Sequence, residues 1–159
     1  MDLLLTNPTW VQIESSTEYL IEQAQKDLNT IDGIVALSRG GLVPGVIASH
    51  VTGARLFPIT YSSKDGNGDN KDHNNHVPSF FEISNRPVSL VLIDDICDSG
   101  KTQLEVFNIL STLTPPYSTI RTVALYYKES AIFCPDYYNW TIPANGPDRV
   151  SVHVSVSKF

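Results

Sequence analysis

The stretch VLIDDICDSGKTQ, residues 91–103, decides how the rest of the chain is read. It opens as a short apolar run of the kind that is buried on both faces in a parallel sheet. It closes on Ser99-Gly100-Lys101-Thr102, which has the form of the tail of a nucleotide-binding P-loop. A P-loop needs a glycine five residues before its second glycine, where the backbone wraps a polyphosphate. Here that position holds Asp95, with Asp94 before it and Asp98 after it. Three carboxylates would repel a polyphosphate lying in such a loop, so a P-loop phosphohydrolase is set aside. The tail can still hold a phosphate, and the three acids must have other work.

Outward from this stretch the chain alternates between two periodicities. Downstream, TQLEVFNILSTL carries Val106, Ile109, Leu110 and Leu113 at helical spacing and stops at Pro115-Pro116. IRTVALYY, residues 120–127, reads as a strand, and DYYNWTI is a candidate for one more. Upstream, GIVALS, residues 33–38, is a second buried strand that breaks at Arg39-Gly40-Gly41. LVPGVIASHV then reads as a helix with Pro44 in its first turn, where a missing N–H costs nothing. RLFPITYS is a strand whose Pro58 suits only a sheet edge. Thr9, with Gln12 three residues on, is a helix start, followed by Trp10, Ile13, Leu20, Ile21, Ala24 and Leu28 at helical spacing; Ser15 with Glu18 offers a later start. Residues 63–79, SKDGNGDNKDHNNHVPS, are polar, aperiodic and too poor in apolar residues to pack, so they are expected to form a long loop. His73 and His76 within it are read as solvated, because an HxxH pair without a helix does not converge on a metal.

Strands alternating with helices give an α/β class with a mainly parallel twisted sheet flanked by helices. Ligands in such sheets bind at the carboxyl ends of the strands. Three of those ends carry unusual residues: Arg39-Gly40-Gly41, the run from Asp94 to Thr102, and Lys128.

At 159 residues the chain is expected to be a single domain. Its net charge of −6 disfavours broad nucleic-acid or membrane-surface binding, both of which use basic patches. It permits a small anionic ligand held by local cations. The opening MDLLLTNPTW lacks a basic region and a long apolar core, and Cys97 and Cys134 form no metal or redox spacing. A cytoplasmic setting is the resulting expectation, with Cys97 as a packing residue.

The pattern resembles the type I phosphoribosyltransferases, most closely the xanthine-guanine (6-oxopurine) members. VLIDDICDSGKT is similar to that family's signature for phosphoribosyl pyrophosphate (PRPP), VALSRGGLVPG to its pyrophosphate loop, and YYKES supplies a lysine where the 6-oxopurine members have one. The resemblance implies the type I fold with a flexible lid at about 63–79 and a base-side segment at about 128–150. It also implies an Mg²⁺-dependent transfer of phosphoribose from PRPP to a nucleobase, releasing pyrophosphate.

The implied roles follow the matched residues. Asp94 and Asp95 meet the ribose hydroxyls and Mg²⁺. Asp98, Ser99, Gly100, Lys101 and Thr102 form the 5-phosphate loop at a helix N-terminus, where unpaired N–H groups and the dipole suit a phosphate. Asp98 is also the catalytic acid/base. Ser38, Arg39, Gly40 and Gly41 cradle pyrophosphate, with a cis peptide before Arg39. Lys128 donates to O6 of the base. Lys101 replaces the commoner small residue and either reaches a phosphate or points into solvent. The related enzymes place an aromatic after the equivalent of Pro143 to stack on the purine, and ANGPDRV here has none. The implied partners are PRPP, a nucleobase and further copies of the chain in a homo-oligomer. A PRPP-binding regulator of the same fold without base transfer, or a transferase for another base, is the alternative.

Overall fold

The computed structural model describes residues 3–62 and 85–153. The expected loop at 63–79, with His73 and His76, lies outside them. The described elements run β1 (Leu3–Thr6), α1 (Trp10–Leu28), β2 (Gly33–Leu37), α2 (Leu42–Thr52), β3 (Arg55–Ile59), β4 (Ser89–Cys97), α3 (Lys101–Leu113), β5 (Thr119–Lys128), β6 (Tyr137–Ile142) and β7 (Arg149–Val152).

Local chemistry explains the helix limits. Thr9 caps α1 by a reciprocal pair: Gln12 N–H donates to Thr9 Oγ1 at 3.2 Å and Thr9 N–H to Gln12 Oε1 at 2.9 Å. The earlier of the two possible starts is therefore the one used. Pro44 falls in the first turn of α2, and α3 ends at Thr114 before the two prolines.

Five strands form one parallel sheet in the order β3-β2-β4-β5-β6. β3 is an edge strand, which is where Pro58, lacking a ladder donor, is tolerated. The pleat sends alternate residues to opposite faces. Ile34, Ala36, Val91, Ile93, Val123 and Leu125 pack with Ile13, Leu20, Ile21 and Ala24 of α1 and Ala48 of α2. Val35, Leu37, Leu90 and Leu92 pack with Val106 and Leu110 of α3. The continuous apolar runs are thus strands covered on both sides. Trp10 departs from the helical reading: as the first residue of α1 it stays 49% exposed and lies beside Leu42, Val43 and Val46 of α2 instead of entering the core.

Two strands have no counterpart in the sequence reading. β1 and β7 pair in parallel, Leu3 with Arg149 through Thr6 with Val152, as a separate two-stranded sheet. The chain leaves β2 towards β3 on one side and resumes at β4 on the other. The crevice at the carboxyl ends of β2 and β4 is therefore the topological switch point of the sheet.

Candidate active site

The loops that leave β2 and β4 meet above this crevice and bound a cavity of about 290 Å³. Ser38 and Gly40 line it from the β2 side. Asp94, Asp95, Asp98, Ser99 and Thr102 line it from β4 and the turn into α3. Residues about sixty positions apart in sequence are gathered here because their strands are neighbours. The Ser38–Arg39 peptide is cis, as the resemblance implies.

Glycine is required at two points of this arrangement. A Cβ on Gly40 would lie 2.3 Å from Cγ of Asp95, so the carboxyl occupies the space a side chain at position 40 would need. Gly100 caps α3 with φ of 81°, a left-handed conformation. A Cβ there would also fall 2.7 Å from the backbone nitrogen of Phe133. The turn that presents Ser99 and Thr102 is thereby pressed against the loop after β5, and Ile132 N–H donates to Ser99 carbonyl at 2.9 Å.

The two strand-end acids are held differently. Asp94 Oδ1 accepts from Asp95 N–H at 2.8 Å, and Oδ2 accepts from Gln103 Nε2 at 2.8 Å. Burial and the neighbouring charge of Asp95 raise the Asp94 carboxyl well above its ordinary range, and burial raises that of Asp95. Crowded, partly desolvated carboxyls favour a proton or a cation between them. The donor set suits Mg²⁺, which takes oxygen ligands, keeps several waters and shares substrate oxygens. Among the described residues no group of three or more His, Cys, Asp or Glu gathers as a metal cage.

Asp98 sits at the other end of the turn, 31% exposed. Its Oδ1 is 3.5 Å from Lys128 Nζ, and its Oδ2 accepts from Val150 N–H of β7 at 3.4 Å. Lys128, at the end of β5, is 7% exposed and donates to the Pro147 carbonyl at 2.7 Å. The structure thus joins Lys128 to Asp98 directly. Arg39 and Lys101 are exposed and are not part of the cavity wall, while Gly41 and Gly100 are buried beneath it. Cys97 is fully buried, donates to the Phe133 carbonyl at 3.2 Å and has its thiol pushed up to about 12, mainly by burial. It is a packing residue.

Four contributors escaped the sequence reading. Tyr61 lines the cavity and donates to Glu105 Oε2 at 2.7 Å; burial and that carboxylate raise its phenol. Gln103 lines it too. A polar residue on the otherwise apolar stripe of α3, three before Val106, is the signal that marks Gln103. The Pro147 carbonyl and the Val150 N–H act through backbone, which leaves no trace in side-chain identity.

The sequence profile of the phosphoribosyl transferase domain matches residues 9–157. The chain is similar to a xanthine-guanine phosphoribosyltransferase of Gluconobacter oxydans, 29% identical over 112 residues, which are 64% of this chain and 61% of that relative. The match thus spans about three-fifths of the relative's length. In fold it is similar to a purine phosphoribosyltransferase of Pyrococcus horikoshii, with a TM-score of 0.71 at 24% identity over 100% of this chain and 97% of the other. It is also similar to a xanthine-guanine-hypoxanthine phosphoribosyltransferase of Helicobacter pylori, with a TM-score of 0.70 at 17% identity over 94% and 92%.

Proposed function

Since the chain belongs to the phosphoribosyl transferase family, we propose that it transfers the phosphoribosyl group of PRPP to a 6-oxopurine, releasing pyrophosphate, as a step of purine salvage. The observation that carries this reading is the shared cavity of Ser38 and Gly40 with Asp94, Asp95, Asp98, Ser99 and Thr102. It supplies an acidic floor for ribose hydroxyls and cation, and a helix N-terminus for a phosphate monoester. Both lie within one ligand's reach.

Asp94 and Asp95 would hold Mg²⁺, which supplies charge neutralisation for the departing pyrophosphate. The chain's own residues do the rest. Ser99 and Thr102 fix the 5-phosphate, and the loop 38–41 receives the pyrophosphate. The purine N9 forms its bond to C1 of the ribose as the C1–O bond to pyrophosphate breaks and its electron pair leaves with that group. Asp98 takes the proton from the purine imidazole ring, a contribution worth about 10²–10⁴-fold. Lys128, beside Asp98, donates to O6 and so favours guanine, hypoxanthine or xanthine over adenine, whose amino group offers no acceptor there. A homo-oligomer in the cytoplasm completes the proposal.

A second reading has one observation in its favour: the run ANGPDRV directly after Pro143 holds no aromatic to stack on a purine. In that reading the protein binds PRPP as a regulator without base transfer. Pyrophosphate release measured with PRPP, Mg²⁺ and a panel of bases separates the two. Turnover with 6-oxopurines supports transfer. PRPP binding with no release on any base supports the regulator, and failure to bind PRPP at all removes both.

A further inference from the structure

We propose that Gln103 is a positioning residue that holds Asp94 in its ligand-binding orientation, and so sets the affinity for Mg·PRPP. This rests on the phosphoribosyl-transfer reading above. Gln103 lies just beyond the acidic signature and occupies the third helical position of α3, after the N-cap Gly100. A glutamine at that position ordinarily reaches back to the N-cap backbone of its own helix, as Gln12 does at the start of α1. Gln103 instead turns onto β4. Its Nε2 donates to Asp94 Oδ2 at 2.8 Å and to the Ile96 carbonyl at 2.9 Å. Both partners are acceptors, so only the NH₂ end of the amide can face them, and the orientation is dictated by chemistry.

The residue is 7% exposed. Burying an amide is unfavourable unless it is hydrogen-bonded, and here both of its N–H groups are committed at short range. Asp94 has one oxygen fixed by Asp95 N–H and the other by Gln103. Each oxygen keeps a lone pair for a ligand, and the carboxylate plane cannot rotate away. Without Gln103 only the contact within the strand remains, and Asp94 is free to turn. Partners of this kind typically change ligand affinity by about 10–100-fold.

The test uses the whole chain and the variant Gln103→Met, which keeps the volume and removes both donors. Calorimetric titration with PRPP in excess Mg²⁺, without base, should show binding about tenfold weaker than the parent. The KM for PRPP should rise in parallel, kcat at saturation should change by less than about threefold, and the melting temperature should stay close to that of the parent. Unchanged affinity in the folded variant overturns the proposal, as does a fall in kcat alone. A measurement on the unaltered protein holds whether or not the variant folds. The two side-chain amide protons of Gln103 should exchange slowly with solvent, and their NMR signals should shift when Mg·PRPP is added. Exchange as fast as that of an exposed glutamine overturns the proposal. A parent that shows the protected amide yet fails to bind Mg·PRPP speaks against the phosphoribosyl reading, not against the contact.

Discussion

The half of the cleft assigned to phosphates and the half assigned to the base are built by different kinds of contact. On the phosphate side, Asp94, Asp95, Asp98, Ser99 and Thr102 lie within one short run, at the end of one strand and the start of the helix that follows it. A single neighbouring loop, 38–41, completes that side. On the base side, Lys128 comes from β5, the Pro147 carbonyl from the turn before β7, and the Val150 N–H from β7 itself. β7 in turn is held by β1, at the other end of the chain. Asp98 belongs to both halves: it sits in the phosphate loop, yet its carboxyl is engaged by Lys128 and Val150. The difference teaches that the side assigned to phosphates is built by local chain geometry, whereas the side assigned to the base draws on β5, β7 and, through β7, on β1.

The largest expected effect falls on the residue the halves share. Asp98→Asn should slow turnover by at least about tenfold, and up to the full 10²–10⁴ of a lost general base. PRPP affinity should hold, because an amide still accepts from Val150. Steady-state kinetics beside PRPP titration makes the split visible, and normal turnover with every accepted base would end the role assigned to Asp98.

On the base side, Lys128→Ala should cost most with guanine or hypoxanthine. A lost charged hydrogen bond is worth about 1.5–3 kcal/mol, so discrimination against adenine should shrink by roughly ten- to a hundredfold. PRPP binding should be left intact. An equal loss for both purines would mean that Lys128 only braces Asp98 and Pro147, and the base side would then be a scaffold without a reader.

Gly40→Ala tests the phosphate side alone. Its methyl would have to displace the Asp95 carboxyl, and overpacking of this kind costs about 1–3 kcal/mol. PRPP affinity should fall about five- to a hundredfold while the ranking of bases stays the same. A changed ranking would show that the halves are coupled through more than Asp98.

The smallest effect concerns stability. Burial and Asp95 raise the Asp94 carboxyl in the folded, metal-free protein above its ordinary value of 3.8. A raised carboxyl contributes stability below its unfolded pKa and loses it as pH rises through the folded value. Metal-free Asp94→Asn has no such charge to bury and should melt higher than the parent at neutral pH, by about 2–4 °C for each kcal/mol recovered. Scanning calorimetry between about pH 4 and pH 8 follows the loss. A lower melting temperature for the variant would mean that the Gln103 and Asp95 hydrogen bonds outweigh the burial.

The sequence by itself determined the parallel sheet, its helices and the residues that line the cleft on the side assigned to phosphates. Gly33–Leu37 is a continuous apolar run and Ser89–Cys97 opens with another, as strands covered on both faces require, Pro58 points to an edge, and the acids with Ser99, Gly100 and Thr102 announce strand end, turn and helix start within neighbouring residues. Each of these signals is local, so backbone sterics and side-chain patterning carry it without knowledge of the rest of the chain. The tertiary structure alone decided the β1–β7 pair, the grip of Val150 and Pro147 on Asp98 and Lys128, and the turn of Gln103 away from its own helix end. β1 and β7 are four residues each and far apart in sequence, too short to show a period and paired through backbone groups that every residue carries. Gln12 and Gln103 occupy the same helical position, and only what stands across from each decides its partner: a threonine cap for one, a buried carboxylate for the other.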